Sequence, residues 1–497
     1  MSERRQESGY ERLGEKKLSL ADVVAQSVGF MGPVFSAAFL IPAIVGANAA
    51  VKGAGVAAPL SVVIAAIGVF ALGWIVAQYA KKIHAAGALY DYVSSGLGRN
   101  VGASAGWLYY GGTIVLTTGL GVLIGGYVHD ILLPTLGVDG GILPIWVWDV
   151  VWAAALFAVL YLGVQLSTRV QLALALVSVL VVLVFCIKVI VDIGSGNDFA
   201  TVLTPSSSPD GWSGILFGVL YGVLIFVGFE TAANLAEEAA DPKRQIPRAV
   251  LTSVIVVSLF YLIASYTQVA GFGFDLDAIF SAAAAGPLFV LSAPDAFGSD
   301  LISKVIVVVV LLDILAVSVG ASVASTRGVF AMARDRRLPA PLAAVAPRTG
   351  TPFGAIALLL VVQAVLIVAS EASDTFLALP DLPHYFSVFI WAATFGGFAL
   401  LIVYLLMSVG AIFGLSDHPN KVGLWIAVIL GVLITGGGIF GSFYKVTSPT
   451  LLAPWAALLW FVIGVVVMFG VMKGRPPASD TLADLRSDEG ARRASEA

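Results

Sequence analysis

Two carboxylates lie inside runs of membrane-grade hydrophobicity. Glu230 ends Tyr221-Gly-Val-Leu-Ile-Phe-Val-Gly-Phe-Glu230, and Asp313 sits within Val308-Val-Val-Leu-Leu-Asp313-Ile-Leu-Ala-Val-Ser318. An ionisable side chain in a bilayer is costly, so such a residue points to function and must face protein or water. Glu230 can take up and release a proton or pair with a substrate ammonium; alternatively it caps a helix starting there, where negative charge is stabilised. Asp313 falls about 12 residues into its apolar run, about 18 Å deep at about 1.5 Å per residue, near the midplane. It reads equally as an ion-coupling group and as a structural hydrogen-bonding group. Ser318, Ser322 and Ser325 follow on the same run. Their hydroxyls offer oxygen ligands for sodium, or pack and bond back to their own helix.

Both carboxylates need an interruption of regular helix to work against. Gly29-Phe30-Met31-Gly32-Pro33 supplies one. Two glycines favour backbone opening, and Pro33, which lacks an N–H, suits the first position of a new helix whose positive end faces the gap and favours an anion. Gly228 supplies the other, beside Phe226, Val227, Phe229 and Glu230. Tyr109 and Tyr110 in an earlier apolar run, with Phe226 and Phe229, are candidates to close over a bound molecule; aromatic residues also simply pack. The substrate-binding candidates are therefore Gly29, Phe30, Met31, Gly32, Tyr109, Tyr110, Phe226, Val227, Gly228, Phe229 and Glu230, and the ion-coupling candidates are Glu230, Asp313, Ser318 and Ser322. Gly29 and Gly32 also have the small-residue spacing of closely packed membrane helices.

The elements that position these residues are membrane helices, each needing about 20 apolar residues. The chain offers twelve: 20–46, 56–80, 105–133, 144–163, 170–191, 213–237, 248–271, 301–326, 353–370, 384–413, 421–443 and 451–473. With the N-terminus inside, all lysines and arginines except Lys52, Lys188, Lys304 and Lys445 fall on the inner side. That asymmetry is the positive-inside pattern and places both termini in the cytoplasm. The two broken spans are five apart in order. Matching interruptions in two halves point to an inverted-repeat transporter with its site at mid-membrane. The expected organisation is a tail over 1–19, a ten-helix core over 20–413, two accessory spans over 414–473 and a disordered charged tail over 474–497.

Composition narrows the class. At 59% hydrophobic and 12% charged, the chain departs from soluble domains, which carry about 25% charged residues. A net charge of −4 with scattered basic residues does not suit nucleic acid. Cys186 stands alone in an apolar run and reads as a buried, inert thiol. No short apolar segment with a small-residue cleavage site precedes the first span, so that span itself directs insertion. His84, His129, His384 and His418 fall at span ends or in loops, which gives no intramembrane catalytic or metal cluster. The G-x-x-x-x-G-K-[ST] pattern for ATP is missing, so an ion gradient or exchange must drive transport. A channel should show a repeated filter element and usually relies on subunit symmetry, and twelve spans with internal inversion argue against it.

Several segments resemble amino acid permeases of the amino acid-polyamine-organocation superfamily. The sixth-span pattern F-x-G-F-E, A-E-E, P-x-R-x-I-P-R reads here Phe226, Gly228, Phe229, Glu230; Ala236, Glu237, Glu238; Pro242, Arg244, Ile246, Pro247, Arg248. Ala86-Gly87-Ala-Leu-Tyr90, with Gly96-Leu-Gly98 and Gly106-Trp107, is similar to a cytoplasmic segment, as is Gly163 to Gln171. Arg327 to Pro339, with Thr351-Pro352, resembles the A-R-D-G-x-L-P loop. Phe30 and Met31 depart from the small residues usual in the first-span break. Val177, Ser178 and Val179 stand where some members carry a lysine, and Arg336 replaces a glycine. The resemblance implies an all-α integral membrane protein with a LeuT-like 5+5 inverted repeat and broken helices 1 and 6. It implies a secondary active transporter of the cytoplasmic (plasma) membrane that imports an amino acid or related small amine. Its expected partners are a small-molecule substrate, a coupling proton and the lipid bilayer, with no cofactor, metal or nucleic acid. The alternatives are an organic amine, polyamine or inorganic cation as substrate, and sodium coupling or exchange. Glu237, Glu238, Lys243, Arg244, Arg248 and Arg334 are expected at the inner face as a solvated or gate-stabilising charge network.

Overall fold

The computed structural model describes residues 18–46, 53–283, 286–379, 382–444 and 446–471. The expectations for the tails before residue 18 and after 471, and for Lys52 and Lys445, fall outside them. The chain forms α1 (Leu20–Met31), α2 (Pro33–Phe39), α3 (Ile41–Val45), α4 (Ala58–Ala80), α5 (Leu89–Leu97), α6 (Arg99–Tyr127) and the single turn α7 (Leu133–Thr135). It continues with α8 (Ile145–Leu162), α9 (Val164–Ile193), α10 (Trp212–Leu224), α11 (Pro242–Ala270), and the short α12 (Leu276–Ala283) and α13 (Pro287–Ser292). Last come α14 (Asp300–Arg334), α15 (Phe353–Ala372), α16 (His384–Gly414), α17 (Lys421–Gly441) and α18 (Leu452–Val466).

Among the described residues, eleven helical stretches are long and apolar enough to cross a membrane, counting Leu20–Phe39 as one. The exception among the twelve expected spans is 213–237. It is helical only as Trp212–Leu224, then turns through 225–230 and continues as a 3-10 helix over Thr231–Leu235. Gly228 adopts φ +109° there, a conformation that ends regular helix and that L side chains rarely adopt. Backbone groups released by the break must find other partners in a dry interior. Tyr261 Oη donates to Ile225 O (2.6 Å), Ser27 Oγ donates to Phe229 O (2.7 Å) and accepts from Ala232 N (3.1 Å).

The first span divides at Gly32, which has φ 54° and ψ 69°, and Pro33 opens α2. A Ser19–Asp22 capping box starts α1, satisfying two N-terminal donors reciprocally. Leu18 pairs beyond it with the segment after the 3-10 helix, donating to Glu238 O and accepting from Ala240 N, both at 3.1 Å.

Burial sorts the helices. The first span, α6, α14 and α16 are largely enclosed, whereas α8, α15, α17 and α18 turn Val150, Val365, Leu433 and Leu459 outward. The apolar residues they turn outward suit lipid contact, while Asp149 of α8 and Gln363 of α15 are buried. The α6–α16 contact is close because both helices place glycine in it. A Cβ on Gly396 would lie 2.8 Å from Gly112 O, and one on Gly112 2.7 Å from Ala399 Cβ. Small residues permit such backbone approach in membrane helices.

Candidate functional site at the two helix breaks

The breaks meet in the interior. A Cβ on Gly228 would lie 2.7 Å from Phe30 Cγ and 3.1 Å from Met31 N. Met31 O accepts from Tyr261 Oη (3.2 Å), whose hydroxyl also serves Ile225 O, so one side chain on α11 bridges both breaks.

Glu230 is fully buried. Tyr109 Oη of α6 donates to its Oε1 and Tyr404 Oη of α16 donates to its Oε2, each at 2.7 Å. The carboxylate thus joins the unwound segment to the two helices of the close pair. The capping reading does not hold: Glu230 precedes the 3-10 helix, but its side chain makes no capping bond. Its oxygens go to the tyrosines instead. Phe229 packs against Tyr404 with ring centres 5.3 Å apart, and Phe226 meets Tyr261 edge-on at 5.1 Å. Val227 between them is partly buried.

Tyr110 turns away from Glu230. Its hydroxyl donates to Gly87 O (2.7 Å) and accepts from Asn234 Nδ2, which also donates to Ala86 O, both at 3.1 Å. Tyr110 therefore ties the 3-10 helix to the segment between α4 and α5.

Asp313, also fully buried, reaches the first break. Its Oδ2 accepts from Val34 N (2.9 Å) and Phe35 N (2.7 Å), the exposed donors of the first turn of α2. An anion was expected at this helix end, and the position is taken by a carboxyl group of the chain itself. Asp313 Oδ1 has no hydrogen-bond partner among the described residues. Gly29 packs against Gln171, and Gly32 against Val317 and Asp313.

The serines of α14 do not gather round Asp313. Ser318 Oγ accepts from Trp152 Nε1 (3.1 Å), Ser322 Oγ donates to Ser318 O (2.6 Å), and Ser325 Oγ to Ser322 O (3.2 Å). The Ser322 and Ser325 bonds are back-bonding along the helix, whereas that of Ser318 crosses from α8. Among the described residues, no group of three or more His, Cys, Asp and Glu side chains is arranged to hold a metal ion.

Beyond the 3-10 helix the charges pair across to α14. Arg327 binds Glu238 through Nε (2.6 Å) and Nη2 (3.2 Å), with the two side chains only 3% and 5% exposed. Arg334 binds Glu237 through Nη2 (2.7 Å) and Nη1 (3.0 Å), and Glu237 Oε1 also accepts from Ala86 N (3.0 Å). These pairs are buried, so the solvated picture fits only neighbours such as Arg244, which lies exposed 3.8 Å from Asp241. Nearby on α5, burial and then the negative charge of Asp335 hold the Asp91 carboxyl well above the usual carboxylate range, against the opposing pull of Arg334.

Tyr404, Tyr261, Gln26 and Ser27 escaped sequence reasoning. Each is a polar tip within an apolar run, and nothing in its spacing separates it from its neighbours.

The fold defines an all-helical polytopic membrane protein with two helix breaks meeting in its interior. Over 96% of this chain and 98% of the other, the fold matches the crystal structure of a manganese transporter from Eremococcus coleocola in complex with an aromatic bis-isothiourea substituted compound (TM-score 0.54, 13% identity). At that identity the likeness concerns the fold alone. The sequence model of the amino acid permease family matches residues 28–474, and the chain belongs to that family. It is 30% identical over 367 residues to an uncharacterized transporter of Mycobacterium tuberculosis (72% of this chain, 74% of the relative). It is 23% identical over 328 residues to the branched-chain amino acid permease BcaP of Bacillus subtilis (62% of this chain), and that match spans 66% of the relative's length, just under two thirds. The protein is therefore an integral membrane transporter and not an enzyme.

Proposed function

We propose that the protein imports an amino acid or related small amine across the plasma membrane by proton-coupled alternating access. The observation that carries this reading is Glu230, buried at the second break and held by Tyr109 and Tyr404. As a carboxylate it accepts both tyrosine O–H groups. Once protonated it becomes a donor itself, and one tyrosine hydroxyl must rotate from donor to acceptor. Proton occupancy thereby alters the link between the unwound segment and the α6–α16 pair. An equilibrium between two arrangements shifts only when a ligand favours one of them, and this bond reversal provides such a difference.

The substrate lies between the breaks, beside Phe30, Met31, Phe226 and Phe229. Spans one to five and six to ten form an inverted repeat. In that arrangement α10, the unwound turn and the 3-10 helix together make the sixth crossing and bring the total to twelve. The core is 20–413, the accessory spans 414–473, and both termini are cytoplasmic. The ion pairs Arg327–Glu238 and Arg334–Glu237 then lie on the cytoplasmic side, where they close the inward path until substrate and proton are bound. Sodium coupling is less favoured, because the Ser318 hydroxyl accepts from Trp152 of α8 and that of Ser322 bonds back along α14.

Uptake of labelled amino acids and amines into proteoliposomes in sodium-free buffer, with and without an inward proton gradient, tests the reading. Gradient-dependent accumulation is expected. Uptake that needs sodium, or only exchanges internal for external substrate, would replace proton coupling. Reporter fusions to both termini test the topology, and an external C-terminus would overturn the twelve crossings.

A further inference from the structure

We propose that the transported molecule is an organic amine without a carboxylate, whose ammonium group is received by Asp313 at the first break. This rests on transport taking place between the two breaks and narrows its substrate.

Hydrogen-bond donors at the first break are fully engaged. Gly32 N closes onto Val28 O (3.3 Å), Pro33 has no N–H, Val34 N and Phe35 N donate to Asp313 Oδ2, and Ser36 N returns to Gly32 O (2.8 Å). An α-amino acid bound here would need those N–H groups for its carboxylate, and would have to displace Asp313 or lie against it. Two carboxylates at contact distance in a dry site repel strongly, because low dielectric strengthens the Coulomb term.

Acceptors are in surplus. Gln26, Gln171 and Gln268 are all buried on or against the first span. Their amide nitrogens are oriented by donation to Gly320 O (2.9 Å), Gln26 O (3.4 Å) and Ala37 O (2.7 Å). Their Oε1 atoms, like Asp313 Oδ1, have no partner among the described residues. The unpartnered polar atoms along this span are thus oxygens that cannot donate. An ammonium brings three donors and no acceptor, which suits them; a carboxylate brings only acceptors. Leaving a buried acceptor unmatched is the costly side of hydrogen bonding.

Charge agrees with this. Asp313 and Glu230 are the carboxylates at the breaks, while Arg327 and Arg334 are engaged by Glu238 and Glu237 beyond the 3-10 helix. Phe30, Met31, Val317 and Phe226 give the surroundings an apolar character that fits a hydrocarbon body on the amine.

Matched pairs that differ only in the carboxylate test the proposal: isopentylamine with leucine, phenethylamine with phenylalanine, cadaverine with lysine. Each is measured with the full chain in proteoliposomes, for gradient-driven uptake and for competition. The amine of at least one pair should compete at least about tenfold more strongly than its parent amino acid. Asp313→Asn, which keeps an oxygen for Val34 and Phe35 but loses the charge, should lower amine uptake at least about tenfold while wild-type-like melting shows that it folds. Amino acids competing as well as or better than their amines would overturn the substrate class and leave the transporter reading standing. Undiminished amine affinity in a folded Asp313→Asn would also overturn it. Absence of gradient-driven uptake for every member of the panel would overturn both readings.

Discussion

Glu230 and Tyr404 lie 174 residues apart in the chain and 2.7 Å apart in the fold, joined by a hydrogen bond from the phenol to a fully buried carboxylate. Tyr109 holds the other oxygen in the same way. The second break is therefore fastened to α6 and α16 through a group that can change its protonation state.

Removing one of these hydroxyls should leave a buried carboxylate oxygen unmatched. Tyr404→Phe and Tyr109→Phe should each destabilise the protein by about 1–3 kcal/mol, the cost of an unsatisfied buried acceptor. Both should also displace the pH dependence of uptake. Thermal melting in detergent, with uptake measured across a pH series, would check this; a Phe variant with unchanged melting and pH profile contradicts it.

Gly228 is constrained twice, by φ +109° and by Phe30 at the position a Cβ would take. Gly228→Ala should abolish transport. Adding Phe30→Ala should restore little of it, because the backbone strain remains when the clash is removed. Uptake by the single and double variants distinguishes strain from crowding.

Arg327 and Glu238 form an almost fully buried ion pair. Arg327→Ala should cost about 3–5 kcal/mol, since it leaves a buried charge uncompensated. Replacing Arg327 and Glu238 together by Gln should cost markedly less than Arg327→Ala. Denaturation of the variants side by side measures the difference.

Asp91 gives a pH signature. Its folded carboxyl titrates well above the usual range because of burial and the charge of Asp335. The neutral form is thus favoured in the fold, and its contribution to stability is complete below the ordinary aspartate value of about 3.9 and declines as pH rises above it. Asp91→Asn should raise the melting temperature at neutral pH and have little effect at about pH 4. An equal effect at both pH values would contradict this origin.

How much of this was legible in the sequence depends on whether the signal was local. Gly32-Pro33 marks a break because both residues act through their own backbone, and the structure ends α1 and begins α2 on either side of Gly32. Glu230 and Asp313 stood out because each is charged in an apolar run. Their partners did not. The bond from Val34 N to Asp313 spans 279 residues and depends on how α14 packs on the first span. Tyr404 is one aromatic among many in α16. Tyr110 was grouped with its neighbour Tyr109, yet adjacent residues on a helix point in different directions, and Tyr110 serves Gly87 and Asn234 instead. The sixth apolar run was expected to break at Gly228, where the backbone does take φ +109°, but hydrophobicity does not reveal that regular helix already ends at Leu224.

The central claim is that Glu230 couples a proton to transport, and the most direct measurement compares wild type with Glu230→Gln in proteoliposomes under an imposed inward proton gradient. Gln keeps the shape and can still accept from a tyrosine, but it cannot cycle a proton. The account predicts accumulation above equilibrium in the wild type, and its loss in a variant that expresses and folds. Undiminished gradient-driven accumulation by Glu230→Gln would contradict it.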